Sequence, residues 1–544
     1  MHISRTLART ARRYPDAAAL VVPAAGGHAR RELSYHDFDT LVDRVAGGLA
    51  ERGVSAGDAV GLFTDNRVEQ VVTYVAAQRL GGVAVPVNHR LAGAELAGIL
   101  ADADATALLF DAGRAAEVAS VREQLPVEVQ MYAGDGEDDD SSGDDAGADD
   151  GNGTDALDWA DPFTAVADAD PIVDPPEADP EAVALAMHTS GTTGRPKLVE
   201  TTGRAQWANS LACIGEFGYC PDDVALNVAP LSHSACYLNL LLPAMHVGAT
   251  NVLVRGSFDP NATLAVCERE GVTLTLGVPT HFQLLRKGTA EGTVDLTAYD
   301  LSSLRTVFTS GAPLTDDIAG WVTDALCPSL VNVYGLTETT GLVTVHRWTP
   351  DTDDDVGYAI GEPFLDVEVR LVRPEADARS VAPDETVPTG ERGHLVARAP
   401  KLMEGYRGLP EKTAATRRDG WLYTGDVAVE RPDGTYALVD RLDNVIVTGG
   451  ENVYPAAVER VLCGHPAVAD AAVVGHPDDT FGERVTAYVV VAEGERITVA
   501  DLTTYWQEER AAADFKRPRT IHFVESLPRN SSGKLQREQL HDES

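Results

Sequence analysis

The residues best placed to do chemistry form the run Thr189-Ser190-Gly191-Thr192-Thr193-Gly194-Arg195-Pro196-Lys197, directly after the apolar stretch AVALAM. Glycines there let backbone N–H groups come close to an anion, the hydroxyls add donors, and Lys197 adds a compact positive charge. That combination suits a polyphosphate. It is not a loop of the GxxxxGK[ST] type, because Gly191 is followed by Gly194 and the lysine comes after Pro196. A second segment, Val331-Asn332-Val333-Tyr334-Gly335-Leu336-Thr337-Glu338, reads as an apolar strand opening into a polar loop. It offers an aromatic face, a hydroxyl and a carboxylate at the edge of a sheet where ligands bind.

The elements that must hold these loops read as α/β. DAVGLF is followed by VEQVVTYVAAQRLG, and GVAVPVN by AELAGILADA, an alternation of strand and helix patterns that predicts largely parallel sheets. The longest apolar stretch, about residues 71–87, is interrupted by Gln78 and Arg79, so it predicts a core helix and strand and not a membrane span. Residues 134–158, GDGEDDDSSGDDAGADDGNGTDALD, have no apolar periodicity and read as a solvated acidic insert. The ligand spacing of a calcium loop is not met there. A boundary near residue 440 divides an N-terminal domain, 1–440, from a small α+β C-terminal domain, 441–544.

Composition narrows the function classes. The chain has 544 residues, 84 acidic against 44 basic, and a formal net charge of −40. Such a surface repels nucleic acid and anionic lipid. Lysine occurs only at positions 197, 287, 401, 412, 516 and 534. An acidic, lysine-poor surface is what solubility at high salt favours, which predicts a halophilic source. Cys213, Cys220, Cys236, Cys267, Cys327 and Cys463 are scattered, without zinc-type pairs, and read as reduced, buried thiols. With no apolar core in the first residues to make a secretory signal, the expected location is cytoplasmic.

The run TSGTTGRPK, followed in order by VYGLTE, WLYTGD, DRLDNVIVTGGENVYP and PRNSSGK, resembles the adenylate-forming, AMP-binding superfamily, in particular its acyl- and aryl-CoA synthetases. The hinge segment is similar to that of chlorobenzoate–CoA ligase-type enzymes. The resemblance implies a large multi-subdomain α/β part and a mobile C-terminal lid. It also implies ATP-dependent, AMP-forming activation of a carboxylic acid, with ATP, Mg²⁺ and coenzyme A as cofactors or co-substrates. Thr189, Ser190, Gly191, Thr192, Thr193, Gly194 and Lys197 would hold phosphates, and Gly311, Ala312 and Pro313 would line the adenine. Tyr334 would stack on that ring, Thr337 would bond the α-phosphate, and Glu338 would hold the metal. Asp426 and Arg441 would share the ribose hydroxyls.

By the same resemblance His233, in Pro230-Leu231-Ser232-His233-Ser234, flanks the carboxylate substrate, and Val333, Gly335, Thr340 and Gly341 line the acid pocket. The segment PLSHSACY has no aspartate to grip an amino group, which argues against an amino acid substrate. Asp443 would be the hinge. Lys534 would bring its charge to the reacting carboxylate and phosphate as pyrophosphate leaves. Arg90, Gly450, Phe481, Phe515, Arg517 and Arg519 would grip coenzyme A, with the arginines suited to a phosphate by their planar fork. Loading of a carrier protein, a luciferase-like oxygenase and a non-catalytic nucleotide-binding regulator are the competing readings. The identity of the acid and a homodimeric state stay open.

Overall fold

In the computed structural model, the described residues are 3–24, 29–134, 157–173, 175–177, 179–189, 197–312, 314–349, 357–374, 381–449, 451–478, 480–509, 516–529 and 535–541. The acidic insert, apart from its ends, lies outside them. So do Ser190, Gly191, Thr192, Thr193, Gly194, Pro313, Gly450, Phe515 and Lys534.

Two sheets carry most of the N-terminal part. In the first, the strands Thr250–Leu253, Val224–Asn227, Leu274–Gly277, Thr306–Thr309 and Leu330–Leu336 run parallel, each beside the next. The connecting helices begin and end on local signals. Asp259 accepts from Ala262 N–H ahead of Pro260–Glu270, Pro260 occupies the first turn, and Gly271 closes the helix at φ 62°. Pro279–Glu291 repeats the pattern, with Pro279 at its start and Gly292 after its end.

In the second sheet Ala59–Phe63, Val83–Pro86, Ala105–Asp111 and Val129–Ala133 are parallel, as their alternation with helices required. Between the two sheets lies Val68–Arg79, buried at every residue but Glu69. The largest core cluster reaches from Val60 and Leu185 of one sheet to Leu276 and Phe308 of the other. The sequence expectation of a core helix followed by a strand at 71–87 thus describes this inner layer.

The strands that residues 341–441 add to the first sheet are antiparallel. Gly341–Arg347, Tyr358–Pro363, Tyr436–Arg441, Trp421–Glu430, Arg392–Arg398 and Glu368–Val372 extend the first sheet in that order. A third sheet belongs to residues 446–524 alone, built on the long pair Val468–Asp478 and Gly482–Val491. Val458, Leu462, Leu502 and Trp506 pack on one of its faces. Between these parts runs the short 3₁₀ turn Leu442–Asn444. Asp440, just before it, accepts from Arg441 N–H at 2.7 Å, Asn444 Nδ2 at 3.0 Å and Ala456 N–H at 2.7 Å. Arg392 over the Tyr454 ring and Arg460 over the Tyr358 ring, at 4.8 and 4.9 Å, add contacts across the same junction.

Four of the cysteines are buried, as expected, but Cys220 and Cys463 are exposed. No helix among the described residues is long and apolar enough to cross a membrane.

Candidate active site

Strand order brings the distant motifs to one edge. His233 follows Val224–Asn227, Gly311 and Ala312 follow Thr306–Thr309, and Glu338 follows Leu330–Leu336. All three loops leave the carboxyl ends of parallel strands of this sheet, where backbone and side chains converge on whatever binds there. The phosphate run contributes from the second sheet. Val183–Thr189 and Lys197–Thr202 are antiparallel partners with Thr189 opposite Lys197, so the two ends of the run are fixed side by side. Thr189 Oγ1 is buried without a hydrogen-bond partner among the described residues.

The Lys197 ammonium stands 5.2 Å from the centre of the Tyr406 ring. Its pKa is lowered by burial first, then by the neighbouring Lys412, against a raising influence from Glu338. Two of the chain's six lysines thus face each other where anionic charge is wanted. Tyr406 Oη donates to Glu338 Oε1 at 2.8 Å. Burial and the Glu338 charge both push the ionisation of this phenol upward, so it remains a donor.

The Asp426 carboxylate, almost fully buried, has both oxygens engaged. Tyr334 Oη donates to Oδ2 at 2.6 Å and Arg441 Nη1 lies 3.1 Å from Oδ1. Gly425, at φ 77°, is needed here, because a Cβ would sit 3.0 Å from Arg441 Nη2. The strand is pinned at this point by His394, whose Nε2 accepts the Gly425 N–H at 2.9 Å, and by Thr424 Oγ1, which donates to Leu395 O at 2.8 Å and accepts from Asp426 N–H at 3.0 Å. Accepting a backbone N–H requires neutral His394, and burial, aided by Arg441, lowers its pKa to about 4.

Around the proposed acid pocket, Ser234 Oγ and Thr337 Oγ1 lie 3.5 Å apart, tying the His233 loop to the Glu338 loop. His233 is half-buried and heads a short helical turn that continues as the π-helix Tyr237–Leu241. Val333 is buried. Thr340 and Gly341 take φ of 49° and 117°, and Thr340 meets Thr201 hydroxyl to hydroxyl at 3.4 Å. A Cβ on Gly335 would meet Gly341 O at 2.2 Å, and one on Gly341 would meet Asn209 Oδ1 at 2.3 Å. Only glycines fit this wall.

The candidate coenzyme A residues divide between two places. Arg90 is exposed on the N-terminal part, close enough to His281 to lower its pKa together with burial. Phe481 carries the Arg519 guanidinium 4.3 Å above its ring and accepts the Gly449 N–H at its carbonyl, 2.7 Å away. Arg517 is half-exposed on the same C-terminal part. Asp443 lies inside the 3₁₀ turn. Tyr406, His394 and Asn209 were not anticipated from sequence. A Gly-Tyr pair, a histidine in a strand and an asparagine in a helix carry no spacing signature of their own.

A metal ion fits this site only in a particular way. Among the described residues no group of three or more His, Cys, Asp or Glu could hold an ion unaided. Glu338, however, keeps Oε2 without a hydrogen-bond partner among those residues while Oε1 is held by Tyr406. One available carboxylate oxygen suits a hard cation that takes its other ligands from phosphate and water.

Comparison with known proteins gives the same direction. The AMP-binding enzyme family profile matches residues 7–407, and that of the AMP-binding enzyme C-terminal domain matches 457–534. The chain is 36% identical to a feruloyl-CoA synthase from Amycolatopsis sp, over 97% of this chain and 96% of that protein. It is 30% identical to the indoleacetate–CoA ligase of Aromatoleum aromaticum, over 99% and 98% of the two chains. Its fold is similar to that of ATP-bound MatB from Rhodopseudomonas palustris, with a TM-score of 0.82, 26% identity and coverage of 100% and 99%.

Proposed function

The chain belongs to the AMP-binding enzyme family, as an ATP-dependent acid–CoA ligase, and we propose that its acid is aromatic and that the loops described above carry the two half-reactions. In the first, a carboxylate oxygen attacks the α-phosphorus of ATP and pyrophosphate leaves. In the second, the thiolate of coenzyme A attacks the acyl carbonyl and AMP leaves. No protein nucleophile is needed, and placement and charge do the work.

The observation that carries this assignment is the convergence of Lys197, from the second sheet, with Glu338, Tyr334, Asp426 and Arg441 of the first, Lys197 sensing the charges of both Glu338 and Arg441. Thr189, Lys197 and the intervening residues would bind the β- and γ-phosphates, and Thr337 the α-phosphate. Gly311, Ala312 and Tyr334 would bracket the adenine, and the ribose hydroxyls would exchange into the Asp426–Arg441 pair. Glu338 would hold Mg²⁺, whose chemistry there is to neutralise phosphate charge. Lys534 would supply the mobile positive charge of adenylation.

Gly335, Gly341, Val333, Thr340 and His233 would line the acid pocket, and the relatives named for feruloyl-CoA and indoleacetate–CoA favour a flat acid there. Domains divide at residue 440, with Asp443 as the pivot of the lid. Arg90, Phe481, Arg517 and Arg519 come to coenzyme A from the two domains as the lid closes. The acidic, lysine-poor surface belongs to a cytoplasm of high salt. A carboxylate panel scored by coenzyme A-dependent AMP release, run from low to molar KCl, tests both points. Preference for short aliphatic acids removes the aromatic assignment, and full activity at low salt removes the salt adaptation.

A further inference from the structure

Tyr406 stands between the two groups that handle phosphate charge, although they come from different sheets. It lies in the short strand Gly405–Tyr406, which pairs with Lys197–Thr202 at Val199 and Glu200. Its ring therefore meets the Lys197 ammonium, 5.2 Å from the ring centre. Its hydroxyl crosses to the other sheet and donates to Glu338 Oε1 at 2.8 Å. The backbone repeats the crossing, since Met403 N–H donates to Glu338 O at 2.9 Å.

The residue is itself held. Its ring is nearly fully buried, and its N–H donates to Thr413 Oγ1 at 2.9 Å. Gly405 lets the helix Pro410–Thr416 close over it, since a Cβ there would lie 2.8 Å from Thr413 Cγ2. A buried tyrosine that spends its one O–H on a functional carboxylate, with a cation on its face, has the arrangement of an orienting group.

We propose that Tyr406 is the positioning residue of the nucleotide site: it fixes the rotamer of Glu338 so that Oε2 faces the phosphates, and it seats Lys197 beside them. The assignment rests on the ATP-site reading above. Hydroxyl and ring do separable jobs. Tyr406→Phe removes the hold on Glu338 and keeps the seat for Lys197, whereas Tyr406→Leu removes both.

The test is calorimetric binding of ATP to the full chain, in EDTA and across a Mg²⁺ series. For Tyr406→Phe we expect unchanged affinity in EDTA and a rise of about 10- to 100-fold in the Mg²⁺ concentration that half-maximally tightens ATP, the scale for losing a partner behind a metal ligand. In a Glu338→Gln background the same change should have almost no further effect, as two residues acting through one contact require. Tyr406→Leu should also weaken binding in EDTA. Thr413→Val, which loosens Tyr406 without touching its ring, should shift the Mg²⁺ response in the same direction by less. A Tyr406→Phe protein with a wild-type Mg²⁺ response, or with equal losses in EDTA and Mg²⁺, overturns the proposal. So does a loss that persists undiminished in the Glu338→Gln background. Wild-type protein that binds no ATP at all overturns the site reading instead.

Discussion

Tyr334 Oη donates to Asp426 Oδ2 at 2.6 Å across 92 residues of chain, while Arg441 holds the other oxygen of the same carboxylate. The contact joins the strand end that precedes Glu338 to the strand that carries Asp426. Removing the carboxylate strands Arg441 and leaves the phenol without its acceptor. Asp426→Ala is therefore expected to weaken ATP by about 2 kcal/mol or more, reduced from the cost of a fully buried pair because Arg441 is over a third exposed. Tyr334→Phe should cost roughly tenfold or less, because the ring proposed to stack on the adenine survives. ATP–pyrophosphate exchange measures both, and an unaffected Asp426→Ala enzyme would remove the ribose assignment.

Lys197 offers a test of charge against shape. Lys197→Ala should lower exchange by roughly 10²- to 10³-fold, the scale for losing one preorganised charge donor. Lys197→Arg should recover only part of that, since a planar fork does not replace a compact ammonium seated on Tyr406. Full recovery by arginine would show that the position needs charge alone.

Gly341 tests the proposed wall of the acid pocket. With φ at 117° and Asn209 Oδ1 only 2.3 Å from where a Cβ would lie, Gly341→Val demands both strained backbone and a displaced asparagine. We expect a loss of about 2 kcal/mol or more of stability in urea titrations. Acid-dependent exchange should fail for bulky acids before small ones. A variant of wild-type stability that still takes bulky acids would place the acid pocket elsewhere.

His394 gives a pH dependence with a definite sign. The folded protein keeps it neutral down to about pH 4, whereas the unfolded chain takes up a proton below about 6.5. The unfolded state binds the extra proton between those values, so this contribution to stability is complete above pH 6.5 and falls as the pH drops toward 4, by about 3 kcal/mol in all. His394→Gln retains an acceptor for Gly425 N–H without the titration. Its stability should decline less steeply than wild type from pH 6.5 to 4.5 in urea melts, and parallel curves would contradict the assignment.

Much of this was legible in the sequence because local chemistry and fold agree. Strand–loop transitions at Thr189, Gly311 and Glu338 follow from apolar runs ending in glycine and hydroxyl residues. The antiparallel extension after residue 341 was harder, because its strands carry the same β-branched pattern as the parallel ones and direction is set by connection length. Tyr406 and His394 escaped because each acts through a contact made by tertiary pairing. Tyr406 reaches Glu338 across 68 residues, and His394 reaches Gly425 across 31. No spacing rule connects such positions. The exposed Cys463 shows the converse: a residue in a helix that reads as apolar can still end on the surface.

The most direct measurement follows the nucleotide products when purified protein is given ATP, Mg²⁺ and an aromatic carboxylic acid, first without coenzyme A and then with it. Pyrophosphate exchange that depends on the acid, followed on adding coenzyme A by stoichiometric AMP, pyrophosphate and acyl-CoA thioester, is the expected result. Formation of ADP and phosphate, or AMP release that ignores both the acid and coenzyme A, would contradict it.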